Sequence, residues 1–245
     1  MDNFRFQEII KEYKKDSTHR IGTLSEKSLH AILKKYLCED EACHEVKIGQ
    51  FYADIFKDEK ILEIQTRALN KLRPKLDYYL DRFSVTIVYP ITHYKYLSWI
   101  NPETGEASEK RKSPKVGKIS DIFYELYKIK MYMNHPNLKL HVILVDCDEI
   151  RNLDGWSRDK KRGSSRYERI PIRLVDEKLF TSKEDYLYFL KDVPSEFTND
   201  DLKKALKINI KYATIATNIF SYMGIISVIG KKGKKNIYKK TIQEQ

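Results

Sequence analysis

Three polar side chains in the segment FYADIFKDEKILEIQTR, namely Asp54, Glu63 and Gln65, are spaced as D-x8-E-x-Q on two short apolar runs. If FYADIF and KILEIQ pair antiparallel through a turn at Lys57-Asp58-Glu59, Asp54 lies beside Glu63, within the reach of one shared cation. Two carboxylates so placed repel each other in the absence of a counter-ion. Mg²⁺ or Mn²⁺, hard ions that prefer oxygen ligands, would remove that conflict. A water polarised by such an ion can attack a phosphodiester while the ion stabilises charge on the phosphate oxygens. Strand alternation puts Glu63 and Gln65 on one face and Leu62 and Ile64 on the other, so the polar groups are expected to emerge together. The alternative makes Asp54 and Glu63 solvent-facing residues of an edge hairpin, paired with Lys60 or Arg67.

Several elements must position these residues. Phe4, Ile9, Ile10 and Tyr13 mark an amphipathic helix over 4–15. A second helix is capped by Thr23 or Ser25, carries Glu26 in its first turn, and shows the stripe Leu29, Ile32, Leu33, Tyr36 and Leu37. HEVKI, FYADIF and KILEIQ read as strands. A helix follows over 69–82 with Pro74 in its first turn. SVTIVYPI reads as a central strand and HYKYLSWI as its neighbour, with NPETG as turn chemistry after them. A helix at 119–133 and the buried strand LKLHVILVD come next, then a basic Gly/Ser loop and the strand-like IPIRLVDEKLF. This order predicts an α/β fold, a mixed central sheet flanked by helices.

The succession of a helix with Glu26, a strand with Asp54, a strand with Glu63-Ile64-Gln65 and a further helix resembles the core of the PD-(D/E)XK nuclease superfamily, the restriction-endonuclease-like fold. The resemblance covers roughly residues 20–150. It implies that Asp54, Glu63 and the backbone carbonyl of Ile64 hold the divalent ion, Mg²⁺ or Mn²⁺. It also implies that Glu26 adds an auxiliary acid and that Gln65 stands in the slot where the family carries a Lys that orients or activates water. A neutral amide can hydrogen-bond that water but lends it no positive field. Ala53 stands where the motif names Pro. Arg67 and Lys71, just beyond the strand, fall where a scissile phosphate would sit.

The segment FTNDDLKKALKINIKYATIATNIFSYMGIISVIGKKGKKNIYKK resembles a winged helix-turn-helix, a small α+β domain. Thr198 with Asp201 suggests a capping box and Asn209 a second cap; Leu202, Ala205 and Leu206, then Ala213, Ala216, Phe220 and Met223, face a core. Gly224 ends the second helix, IISVIG and NIYKK form the wing, and residues 182–190 supply a leading helix. Lys207 occupies the turn position where many relatives carry Gly. By this resemblance the second helix enters the major groove with Ile210, Lys211, Thr214, Ile215 and Asn218 outward, and Lys231, Lys232, Lys234 and Lys235 of the wing touch phosphates. Without an Arg to read guanine, base readout is expected to be weak. The domain assignment is therefore a nuclease-like domain over 1–180 and a winged helix over 195–245, joined near PSEF.

The 245 residues carry a formal net charge of +11, which suits a polyanionic partner such as duplex DNA. The positive charge gathers in 109–118, 157–169 and 230–240, and Arg158, Lys161, Arg162 and Arg166 are phosphate-contact candidates. Trp156 either anchors its loop or stacks on an unpaired base. Cys38, Cys43 and Cys147 form neither a disulfide framework nor a trusted zinc spacing, and the six histidines show no metal-ligand spacing. No phosphate loop, dinucleotide fingerprint or nucleophile elbow is present, which argues against ATP-driven chemistry and serine hydrolysis. With no apolar run of bilayer length and no secretory pattern, a cytoplasmic location away from membranes is expected. The expected function is a Mg²⁺- or Mn²⁺-dependent DNA endonuclease, dimeric if it cuts both strands. The alternatives are a catalytically silent DNA-binding or regulatory protein on the same scaffold, and a protein-interaction adaptor.

Overall fold

The computed structural model describes residues 2–17, 28–155 and 164–242. Asn3–Ser17 forms α1, with Phe6, Ile9 and Ile10 buried. Phe4, expected on that stripe, is 75% exposed, since it sits about 200° round the helix from Phe6. Ser28–Leu37 forms α2 and buries Leu29, Ile32, Leu33 and Tyr36, as its periodicity predicts. The Phe6 and Tyr36 rings meet edge-on at 5.2 Å, packing α1 on α2. Thr23, Ser25 and Glu26 lie outside the described residues.

Three strands follow, β1 (His44–Ile48), β2 (Phe51–Lys57) and β3 (Lys60–Ile64). Asp58 and Glu59, which link the last two, have φ of 49° and 56°. Two successive positive φ values suit a type I′ turn, whose twist matches that of the strands it joins. A 3-10 turn at Leu69–Leu72 leads into α3 (Arg73–Tyr79), with Pro74 in the first turn, where its missing N–H removes no helical bond. β4 (Ser84–Ile100) is one strand of 17 residues, where the sequence predicts two. Pro90 lies beyond Val88, the last residue paired with β3, and so breaks no bond of that ladder.

β5 (Arg111–Lys112) pairs antiparallel with β4. The helix expected over 119–133 is instead a 3-10 turn at Ile119–Ile122, a short α4 (Phe123–Tyr127) and a second 3-10 turn at Lys130–Tyr132. Ile119, Ile122, Phe123, Leu126 and Ile129 are buried, so the segment presents one apolar face although its turns are mostly 3-10. β6 (Leu138–Asn152) and β7 (Ser165–Phe180) are long strands. The leading helix expected at 182–190 is a 3-10 segment, Glu184–Leu190. Then come β8 (Glu196–Phe197), α5 (Asn199–Leu206), α6 (Ile210–Met223), β9 (Ile226–Lys232) and β10 (Lys235–Lys240).

The main sheet has the order β1-β2-β3-β4-β6-β7, with β5 also on β4; β8-β10-β9 form a second sheet. β1 and β2 are antiparallel whereas β3 and β4 are parallel, so the fold is mixed α/β, a central sheet flanked by helices. The chain divides into two compact units. The first comprises Met1–Phe56, Pro90–Lys118 and Ile143–Glu177, and its core includes Phe6, Leu33, Ile55, Val145 and Leu174. The second comprises Lys57–Tyr89, Ile119–Val142 and Lys178–Gln245. Its core is aromatic: Phe123 lies 4.7 Å from Phe189 and 5.4 Å from Phe220, and Phe189 stacks on Phe180 at 5.4 Å. Ring pairs of this kind add about 0.5–1.5 kcal/mol each beyond burial, and they fasten α6 to α4. Among the described residues no helix is long and apolar enough to cross a membrane.

The linking turn yields a test. A left-handed non-glycine residue is strained by about 1–2 kcal/mol, which a glycine would relieve. Part of that gain is offset by the greater freedom of an unfolded Gly. Glu59→Gly should therefore raise Tm by about 2–4 °C for each kcal/mol recovered, measured by calorimetry.

Candidate functional site

β1 and β2 are paired with His44 opposite Ile55 and Val46 opposite Ala53. Between these pairs fall Glu45 and Asp54, two carboxylates facing each other across neighbouring strands, an arrangement that is destabilising by itself. α2 answers it from above with two residues one helical turn apart. His30 Nε2 lies 3.2 Å from Asp54 Oδ2, and Lys34 Nζ donates to Glu45 Oε1 at 2.8 Å. Lys34 and Asp54 are mostly covered, with side chains 7% and 14% exposed, whereas that of Glu45 is 53% exposed. Glu45 has φ of 51°, so the strand is locally strained where its carboxylate meets Asp54.

His30, Glu45 and Asp54 each offer one ligand atom, and these three atoms lie within 4.8 Å of one another. One imidazole nitrogen and two carboxylate oxygens form a donor set that fits a divalent ion. Asp54 is therefore part of a metal-capable cluster. Its companions are His30 and Glu45, which sequence spacing did not reveal. The signal was present as His30-x3-Lys34 on the helix, but only the β1–β2 register shows what that pair faces.

Glu63 belongs to the second unit. It was expected on a polar face, but is 2% exposed and shares its side of β3 with buried Ile61. Lys75, in the first turn of α3, donates to both of its carboxylate oxygens, at 3.0 and 2.8 Å. The partners anticipated for a surface hairpin, Lys60 and Arg67, are not the ones that hold it. Ile64 is buried opposite Val88 in the parallel ladder. Gln65 donates its amide to the carbonyl of Arg67 at 2.7 Å, so this group bonds its own backbone. Arg67 and Lys71 are exposed.

The wing lysines Lys231, Lys232, Lys234 and Lys235 are exposed, with Lys235 paired to Asp200 at 2.5 Å. Lys211 and Thr214 are exposed on α6. The Lys211 ammonium lies 6.0 Å from the Tyr124 ring, and Thr214 Oγ1 donates to the carbonyl of Ile210. Lys130 donates to Asn218 Oδ1 at 2.8 Å, so part of the outward face of α6 is taken up within its own unit. The expected caps are made: Asp201 accepts the Thr198 N–H and Asn209 accepts the Tyr212 N–H, both at 2.8 Å. Lys207 adopts φ of 52°, the conformation for which Gly is favoured at that turn. Arg166 is exposed on β7; Glu26, Trp156, Arg158, Lys161 and Arg162 lie outside the described residues.

Two further ionic clusters belong to the first unit. Asp146 accepts from His93 Nδ1 at 3.0 Å, the Tyr94 N–H at 2.9 Å and Arg173 Nη2 at 2.7 Å. Burial alone would raise its pKa; the Tyr94, His93 and Arg173 hydrogen bonds outweigh that and hold it low. Glu149, 1% exposed, accepts from Arg151 Nη2 at 2.7 Å and Arg169 Nη2 at 2.9 Å. Burial again pushes its pKa up, but the Arg151 hydrogen bond, the Arg169 charge and hydrogen bond and the Lys95 charge bring it down to about 2.

These contacts set two expectations. Removing one partner of a buried ion pair costs about 3–5 kcal/mol, so Lys75→Met should destabilise strongly, and adding Glu63→Gln should recover part of the loss in a double-mutant cycle. A depressed carboxylate contributes stability that is complete above its unfolded pKa of about 4.3. That stability disappears as pH falls toward about 2. The stability gap between wild type and Glu149→Gln should therefore close across that window in acid-unfolding experiments.

Residues 27–181 match the family described as a domain of unknown function (DUF8091). The chain is also 29% identical over 231 residues to a protein of Treponema pallidum (strain Nichols) described as "Uncharacterized protein", an alignment covering 90% of this chain and 87% of the relative. No solved structure matches it. With more than half of its length inside that family match, the chain belongs to the DUF8091 family.

Proposed function

We propose that this protein is a metal-dependent DNA nuclease with a restriction-endonuclease-like domain and a C-terminal winged helix. The observation that carries the reading is the convergence of His30, Glu45 and Asp54, with Asp54 on the strand where the superfamily keeps its metal-binding Asp. In this reading Asp54 and Glu45 neutralise the ion and His30 completes the donor set. When bound, the ion supplies a polarised water and stabilises charge on the phosphodiester. The imidazole makes Mn²⁺ a better occupant than Mg²⁺, which prefers all-oxygen surroundings.

The chain's own residues divide the remaining tasks. Lys34 holds Glu45 in place from α2 and keeps positive charge beside the cluster. In the second unit Lys75 sets an ammonium on Glu63, the acidic residue of the family pattern, while Gln65 bonds its own backbone. The exposed wing lysines hold phosphates without reading bases.

A second reading is a DNA-binding protein on the same scaffold without chemistry. It is favoured by Gln65 and by the neutralisation of both Glu63 oxygens by Lys75. The engagement of Asn218 with Lys130 leaves α6 less of a free face for the groove.

Plasmid and linear duplex incubated with Mn²⁺, Mg²⁺ or EDTA separate these readings. The nuclease reading expects cutting that is fastest in Mn²⁺, absent in EDTA and abolished in Asp54→Ala, with DNA binding retained. Calorimetry should detect Mn²⁺ binding to wild type and none to Asp54→Ala. Binding without cutting in either metal, unchanged by EDTA, would establish the silent binder instead.

A further inference from the structure

On the main sheet of the first unit, β4, β6 and β7 bring three cations to one buried carboxylate. Arg151 uses Nε and Nη2 on Glu149 Oε1, at 3.0 and 2.7 Å. Arg169 uses Nε and Nη2 on Oε2, at 3.3 and 2.9 Å. Lys95 Nζ stands 3.9 Å from Oε2, within Coulomb reach but beyond a hydrogen bond. A single cation would balance Glu149, so this cluster carries surplus positive charge that internal pairing does not explain.

That surplus is reachable. The side chains of Arg151, Arg169 and Lys95 are 32%, 18% and 23% exposed, while that of Glu149 is 1% exposed. The carboxylate is inside and the cations face out from it. Each guanidinium pairs through Nε and Nη2, which leaves its Nη1 hydrogens outside the Glu149 pairing, in a planar arrangement suited to phosphate oxygens. Arg111 pairs in register with Leu97, which lies on the same side of β4 as Lys95, and its guanidinium is 5.3 Å from the Trp99 ring. Burial lowers the Lys95 pKa and Glu149 counters it, but Arg169, Arg151 and Lys115 lower it further, so the ammonium is short of negative partners.

We propose that Lys95, Arg151 and Arg169 form a phosphate-binding site, held in shape by Glu149 from beneath, which takes a backbone phosphodiester of duplex DNA. The choice of polyanion rests on the nuclease reading; the site itself rests on the charge surplus and the exposed guanidinium edges. Glu149 fixes two guanidiniums so that they meet a phosphate already oriented, and Lys95 adds charge without using a hydrogen bond inside the protein. Arg111 extends the positive face along the strand.

The test is anisotropy of a short fluorescein-labelled duplex titrated with the full chain in EDTA, across a KCl series, so that cutting plays no part. Removing one cation that neutralises a phosphate should lower the slope of log K against log[KCl] by about 0.9. Lys95→Met makes this change without removing a hydrogen bond from Glu149, and Arg111→Gln is a second variant that leaves the Glu149 cluster untouched. Lys95→Met is expected to bind more weakly with a shallower slope and an unaltered melt, whereas Lys11→Met on α1 should match wild type. Wild-type slopes in both Lys95→Met and Arg111→Gln, or no salt-dependent binding by wild type, overturn the proposal. Binding that follows the expected slopes in a chain that never cuts DNA with Mn²⁺ refutes the nuclease reading alone. Mn²⁺-dependent cutting with wild-type slopes in both Lys95→Met and Arg111→Gln refutes the phosphate site alone.

Discussion

Glu45 and Asp54 repel each other across two antiparallel strands, and the first unit is arranged around the answer to that repulsion. Helix α2 lies where residues one turn apart, His30 and Lys34, each reach one of the two carboxylates. The helix cannot slide along the strands without leaving one acid unmatched in a partly covered place. Its apolar stripe of Leu29, Ile32, Leu33 and Tyr36 supplies the burial, and the two polar contacts fix the register. The same contacts gather an imidazole and two carboxylates within 4.8 Å of one another, so the helix that buries the apolar stripe also assembles a metal-capable cluster.

The same physical rule operates through the rest of the molecule. Glu63, Glu149 and Asp146 are each nearly excluded from water, and each is held by cations from a neighbouring element or strand. Low local polarisability strengthens such pairs and makes an unmatched member costly, so they specify alignment more than they add stability. Around Asp146, His93 and Arg173 meet one acid; around Glu149, the cations outnumber the acid. That excess is the observation from which the anion site was inferred.

Much of the fold was legible along the chain. The strands HEVKI, FYADIF and KILEIQ, the turn between the last two, the caps at Thr198 and Asn209 and the buried faces of α2 and α6 all follow from local periodicity and turn chemistry. Local rules failed where long-range context intervened. SVTIVYPI and HYKYLSWI read as two neighbouring strands, yet β4 runs through both as one. Residues 119–133 read as one helix and bury Ile119, Ile122, Phe123 and Leu126 at helical spacing, yet they form only a short α4 between two 3-10 turns. Phe4 reads as core but lies on the opposite side of α1 from Phe6.

Of the candidate site, the sequence by itself determined that Asp54 is a carboxylate on a short apolar strand, and that positive charge gathers in particular segments. Tertiary structure decided the partners: His30 and Glu45 for Asp54, Lys75 for Glu63, and Arg151 with Arg169 for Glu149. The reason is physical. Periodicity reports which side of its own element a residue occupies, because that depends on backbone geometry a few residues long. Which charge it meets depends on the register between elements distant in sequence, and that register is set by the packing of the whole unit.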